Sequence, residues 1–194
     1  MCFVFSQKKV IVIDVGHGGK DTGAIGIHNI QEKEVVLNVA KEILRLNKKL
    51  FDNELDIYLT RYRDTLISLS DRSRLAKVLS ADVFVSLHCN ASPNTSKGME
   101  VYVHNNDNSN TKSSIELGLS ILNESTQNLG FKMRGAKFAN FQVLREAGNY
   151  PAVLVEMGYI TNTDEADYFT NPKNVKAMAL AILIGIANYL NVGI

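Results

Sequence analysis

Cysteine is nearly absent: Cys2 and Cys89 are the only two in 194 residues, and their separation fits neither a zinc finger nor a disulfide framework. Both are expected to be free thiols. Long apolar runs are missing as well. The most apolar stretch, residues 175–190, is interrupted by Lys176 and Asn188 and falls short of the ~20 residues that cross a bilayer. A buried C-terminal helix is expected there instead. Neither sign of charge is in excess. A formal net charge of +1 gives no support for nucleic-acid binding. Residues 1–9 lack the basic start, apolar core and cleavage site of a signal peptide, so residues 1–8 are expected to be a leader or frayed segment. No internal repeat, low-complexity tract or linker interrupts the rest, which suits one domain with a proper core.

What is present is an alternation of strand and helix signals, the pattern of an α/β fold. The expected architecture is a single domain with a central, mostly parallel or mixed twisted sheet and helices on both faces. Val10, Ile11, Val12 and Ile13 are continuous and β-branched, as in a strand covered on both sides. The run ends at Asp14, Val15 and Gly16, then His17 in a glycine-rich turn with Gly18 and Gly19. Ligands gather at such strand ends in open α/β sheets, so His17 is read as the first of three metal ligands.

Residues 20–31 read as a loop, and a helix is expected over 32–50. Its Val36, Val39, Ile43, Leu46 and Leu50 repeat at three- and four-residue steps and define a buried face. Counting back four from Val36 places Glu32 at the helix start on that face. A carboxylate there needs a cation or several donors. Either it complements the helix dipole or pairs with Lys33 or Lys20, or it ligates a metal.

Strands are expected over 55–60, 82–88, 98–103, 141–144 and 152–155, with the 98–103 strand near a sheet edge. Helices are expected over 69–79, 114–129 and 174–190. Residues 105–114 read as a polar surface loop and 130–140 as a basic connection walling a substrate groove. Arg61, Arg63, Arg72 and Arg74 are expected to brace loops by salt bridges, the last two from the polar side of their helix. In the 82–88 strand, Val83, Val85 and Leu87 point one way and Phe84, Ser86 and His88 the other. His88 therefore ends a buried strand, much as His17 does, and Glu156 directly follows another.

Two histidines and a core-facing glutamate converging on one point make a His₂Glu set, with a fourth position left for water. That is the pattern of a hydrolytic rather than structural Zn²⁺ site. Such an ion lowers the pKa of bound water to around 7 and polarises a carbonyl oxygen. Glu156 is then the candidate base that takes the water proton and returns it to the leaving group. The HExxH helix of thermolysin-type enzymes is absent.

The segments VIDVGHGGKDTGAIG, QEKEVVLNVA, SADVFVSLHCNAS and PAVLVEMGYITN resemble the successive signatures of zinc-dependent N-acetylmuramoyl-L-alanine amidases of the Amidase_3 type. TRYRDTLISLSDRSRLA is similar to that family's arginine-containing segment. The resemblance runs from about residue 9 to 190 and implies a catalytic domain over 9–194. It implies zinc ligands at His17, Glu32 and His88, with Glu156 as the catalytic glutamate and Glu34 as a solvated neighbour. Asn90 and Arg145 fall in family segments where either substrate contact or loop bracing would fit. The implied substrate is bacterial peptidoglycan, cut between N-acetylmuramic acid and L-alanine, which places the enzyme in the cell envelope or outside the cell. A monomer is expected.

Some relatives carry a helical insertion that plugs the zinc site. Residues 105–114 are too short for one, so an open site is expected. Cys89 should point away from the metal, and His28 and His104 are read as surface histidines. The alternatives are a zinc peptidase acting on stem-peptide bonds and a non-catalytic wall-binding or regulatory module.

Overall fold

The computed structural model describes residues 8–105 and 109–193. β1 (Lys9–Val15) leads through a loop into α1 (Glu32–Leu50), followed by β2 (Leu55–Leu59), α2 (Leu69–Val78) and β3 (Val83–Asn90). β4 (Met99–Val103), α3 (Ser109–Leu129), β5 (Met133–Phe138) and α4 (Gln142–Arg145) come next. β6 (Ala152–Tyr159), α5 (Thr163–Thr170) and α6 (Pro172–Tyr189) complete the chain. The six strands form one sheet in the order β2-β1-β3-β6-β4-β5. The first four are mutually parallel; β4 runs antiparallel to β6, and β5 runs parallel to β4. The sheet is therefore mixed, as expected.

Alternation of side chains divides the core in two. Ile11, Ile13, Val83, Val85, Val153 and Val155 face the larger layer, built with α1, α3 and α6. Val12, Phe84 and Leu154 face a thinner layer with Ala76 of α2 and Val143 and Leu144 of α4. Burying each large side chain contributes ~1.5–3 kcal/mol, so both layers matter. The thin layer leaves the upper part of its sheet face open, and the site lies there. On α1 the predicted face holds at Val36, Val39, Ile43 and Leu46, whereas Leu50 at the helix end is exposed.

Several expectations are corrected. Residues 141–144 are not a strand: the apolar run after Phe141 forms the four-residue helix α4, too short for a helical period to show. Residues 133–138 within the basic connection form the edge strand β5, whose side chains are only half-buried and so carry no apolar alternation. β4 is one strand in from that edge, near it as expected. The loop expected over 105–114 gives way to α3 at Ser109; residues 106–108 lie outside the described part. α3 packs against α6, β4 and β6 in the larger layer, away from the open face. Glu156 lies within β6, not after it. α5 was not anticipated. Cys2 lies outside the described residues.

Candidate metal centre and cleft

β1 and β3 are neighbours in parallel register, so their C-terminal ends lie side by side. His17 leaves the end of β1 in a left-handed conformation, φ 57°, which costs a non-glycine residue ~1–2 kcal/mol. Two buried arginines hold that turn. Arg61 donates to the carbonyls of Val15 (3.0 Å) and Gly16 (2.8 Å). Arg72 donates to the carbonyls of Val15 (2.6 Å) and His17 (2.7 Å) and pairs with buried Asp14 at 2.7 Å. Asp14 is itself fixed by Thr60 and Ser86 hydroxyls. Arg72 braces the loop by an ion pair as expected, though it is buried rather than on the polar side of α2, whereas Arg61 braces through backbone carbonyls instead of a salt bridge.

The first turn of α1 brings Glu32 beneath the two histidines. Its Oε1 lies 3.0 Å from His17 Nε2 and 2.9 Å from His88 Nδ1. Oε1 also accepts from the Cys89 backbone N–H, and Oε2 from that of Ala24. Lys33 turns instead to Asp64, and Glu34 is exposed. The imidazoles of His17 and His88 stand edge to face, with centroids 4.9 Å apart. Asp21, four residues after His17, accepts from its Nδ1 at 2.9 Å. That contact fixes the tautomer and leaves Nε2 to face Glu32, as carboxylates behind metal-binding histidines commonly do.

Burial works against charge on Glu32, yet the two imidazoles hold its carboxyl well below the usual carboxylate range. Burial likewise opposes protonation of His17, but Glu32 and Asp21 outweigh it and raise the pKa.

His17, Glu32 and His88 are the one group of three ligand-type side chains converging in this way among the described residues, with donor atoms all within 4.8 Å. The donors are two imidazole nitrogens and a carboxylate oxygen, without thiolate, a set that suits Zn²⁺. Space is reserved around them. A Cβ on Gly16 would lie 2.6–2.7 Å from the His88 ring, and one on Gly23 would lie 2.5 Å from Glu32 Oε2. The residues present fit a metal ion. Cys89 points into the larger core layer, as expected, and burial pushes its thiol pKa well up. His28 sits at the surface beside Asp167, and neither it nor His104 joins the group.

Glu156 lies beside His88 in the β3–β6 ladder and opposite Glu100 in the β6–β4 ladder. Its Oε2 is buried with no hydrogen-bond partner among the described residues. Burial raises its pKa to about 7, with Glu32 and Glu100 adding to the rise and His88 opposing it. A carboxyl group poised near neutrality can both take and give a proton.

His17, His88 and Glu156 line the floor of a cleft of ≈ 790 Å³. Its apolar wall comes from Leu66, Ile67 and Leu69 on one side and Phe141 and Val143 on the other. Neither tentative substrate residue is part of this lining. Asn90 donates to Glu100 and its Oδ1 accepts from the Ala91 N–H. Arg145 is exposed and turns to Asn140. Asp21 and Glu100 join the site without being among the ligands proposed from the sequence motifs. The first was signalled by its i+4 spacing from His17, the second by a charged residue on the inward side of an apolar strand.

Fold and site define a class: a single α/β domain with an open His/Glu/His centre beside a near-neutral carboxyl group, the layout of a metal-dependent hydrolase. A family model described as N-acetylmuramoyl-L-alanine amidase matches residues 11–188. The chain belongs to the N-acetylmuramoyl-L-alanine amidase family. It is 36% identical over 187 residues to an endolysin of Bacillus phage SPP1, covering 95% of this chain and 67% of the relative. It is 33% identical to the amidase CwlM of Bacillus licheniformis over 93% of this chain and 68% of that one. Among solved structures, an N-acetylmuramoyl-L-alanine amidase of Clostridium difficile 630 superposes with a TM-score of 0.88 at 35% identity, covering 96% of this chain and 98% of that one.

Proposed function

We propose that this protein hydrolyses the amide between N-acetylmuramic acid and L-alanine in peptidoglycan, with Zn²⁺ held by His17, Glu32 and His88. The observation that carries the reading is the convergence of both imidazoles on one Glu32 oxygen, at 3.0 and 2.9 Å, one strand from Glu156. When bound, such an ion acidifies a water and polarises a carbonyl oxygen.

The chain's own groups do the rest. Asp21 keeps His17 in its ligating tautomer. Glu156 takes the proton of the attacking water and delivers it to the leaving amine, a role matched by its pKa of about 7. The cleft is open along the sheet face, which suits a polymer. Asn90 supports this floor indirectly through Glu100, the neighbour of Glu156 across the β6–β4 ladder, while Arg145 braces Asn140, next to Phe141 of the wall. A substrate of this kind places the protein in the cell envelope or outside the cell.

The test is mass spectrometry of purified peptidoglycan digested with and without a zinc chelator. Chelator-sensitive release of intact stem peptides with a free L-alanine amino terminus supports the reading. Cleavage confined to bonds within the peptide overturns it.

A further inference from the structure

Beyond Glu156 and the end of the cleft, the same sheet face continues across β4 to the edge strand, and a second polar cluster is built there. At its centre is Glu100, 1% exposed. Its Oε1 accepts from Asn90 (2.8 Å) and the Tyr102 hydroxyl (2.8 Å). Its Oε2 accepts from Arg134 Nε (2.7 Å) and Lys137 Nζ (2.6 Å). Two cations thus meet one carboxylate, leaving an excess positive charge. Both cations keep solvent contact, with side chains 28% and 39% exposed.

Two irregularities of the sheet create this arrangement. In β5, Arg134 and Lys137 are three positions apart, which would put them on opposite faces of a regular strand. The ladder shifts register between Met99 and Val101, opposite Gly135, whose φ of +85° only glycine adopts readily. The resulting bulge turns both cations to the cleft face. In β6, a second register shift pairs Tyr159 with Asn90 after Glu156 has paired with His88. That shift brings the Tyr159 ring beneath Arg134, 5.1 Å from its guanidinium carbon. Lys137 stands 5.8 Å from the Tyr102 ring. The cations are held from below by a buried carboxylate and two rings, while N–H groups remain for a ligand. Of the five N–H groups of an arginine, only Nε and a long Nη1 contact to the Lys97 carbonyl are engaged among the described residues.

We infer that Arg134 and Lys137 form a carboxylate-binding subsite that reads an acidic group on the peptide side of the scissile amide. Resting on the proposed hydrolysis, this assigns the subsite's distance as well. Glu156 and the cations are two strand spacings apart, ~10 Å at ~4.8 Å each. An extended peptide covers that in about three residues. The carboxylate recognised lies two or three residues beyond the bond that is cut. A neutral peptide would leave the N–H groups that Glu100 does not engage unanswered in a partly desolvated site, which penalises it more than a missing apolar contact would.

The experiment uses the zinc-loaded protein and two synthetic muramyl peptides. They differ only in a free carboxylate or a carboxamide two to three residues past the muramyl amide. The expected result is a preference for the acid of at least tenfold in kcat/KM, carried by KM. In Lys137→Met and Arg134→Met that preference collapses towards one, while Arg134→Lys retains more of it than Arg134→Met. Lys137→Met, at the more exposed end, keeps the test usable should Arg134→Met fold poorly, and near-UV circular dichroism verifies the fold of each. Equal cleavage of acid and amide by the unaltered protein overturns the subsite alone. So does an equal loss on both peptides in the variants, which is what a purely structural role of the cluster would give. Cleavage of neither peptide overturns the hydrolysis reading and the subsite with it.

Discussion

Arg72 Nη1 lies 2.7 Å from Asp14 Oδ1, both side chains buried, while Nη2 of the same guanidinium holds the His17 carbonyl at 2.7 Å. The ion pair under β1 and the backbone of the first histidine are therefore one unit. Removing one member of a buried pair costs ~3–5 kcal/mol, because the other is left charged and unpartnered. Arg72→Met is expected to lose that much in urea unfolding and to weaken zinc binding in chelator competition. Arg72→Lys keeps the charge but not the planar fork that reaches four acceptors, so its zinc affinity should stay below that of the unaltered protein.

Glu156 makes opposite predictions for activity and stability. Glu156→Gln should lower kcat by at least ~10²-fold and leave zinc affinity within about threefold. Its folded pKa of about 7 exceeds the ordinary value of 4.5, so the folded state binds the extra proton between these values. The associated stability is present below pH 4.5 and lost as pH rises to about 7. Without metal, the variant should match the unaltered protein near pH 4.5 and exceed it at pH 8 by up to about 3 kcal/mol. Urea midpoints at the two pH values decide the matter.

Two glycines separate space from backbone freedom. A Cβ on Gly16 would sit 2.6 Å from His88 Cε1, whereas nothing lies within 4 Å of one on Gly130, where φ is +75°. Gly16→Ala should weaken zinc affinity at least tenfold by displacing the imidazole. Gly130→Ala should cost only the ~1–2 kcal/mol of a left-handed alanine and leave affinity as it was. Chelator competition with thermal melting distinguishes the two.

Much of this layout can be read in the chain, and the reasons are local. β1 and α1 announce themselves because Val10–Ile13 and the Val36, Val39, Ile43 series are apolar at strand and helix periods. Those periods aim His17, Glu32 and His88 at the same region. What failed to show depends on partners distant in sequence. Arg72 resembles a surface residue of α2 until Asp14, 58 positions away, neutralises it. β5 has no apolar face because its cleft side is polar and its edge is open. The apolar run of β6 stops at Glu156, which reads as a strand end, yet the ladder continues to Tyr159.

Metal loading should act on stability as well as on rate. A ligand bound only by the folded state stabilises it by ~4 kcal/mol at a thousand times its dissociation constant. The unaltered protein should melt several degrees lower in chelator and recover on adding Zn²⁺, whereas His88→Ala should melt at one temperature with or without it. Differential scanning fluorimetry provides the comparison.

The change of strand direction between β6 and β4 gives the molecule a seam. Parallel strands on one side carry the histidines and their supports; reversed strands on the other carry Arg134 and Lys137, and Glu156 stands on the border strand. Each half is held by its own buried carboxylate and a paired arginine, Asp14 with buried Arg72 on one side and Glu100 with partly exposed Arg134 on the other. On the proposed reading, changes at Arg134 and Lys137 would alter which peptide is accepted without touching His17, Glu32 or His88, whereas changes at Glu100 would reach Glu156, whose pKa it helps to raise.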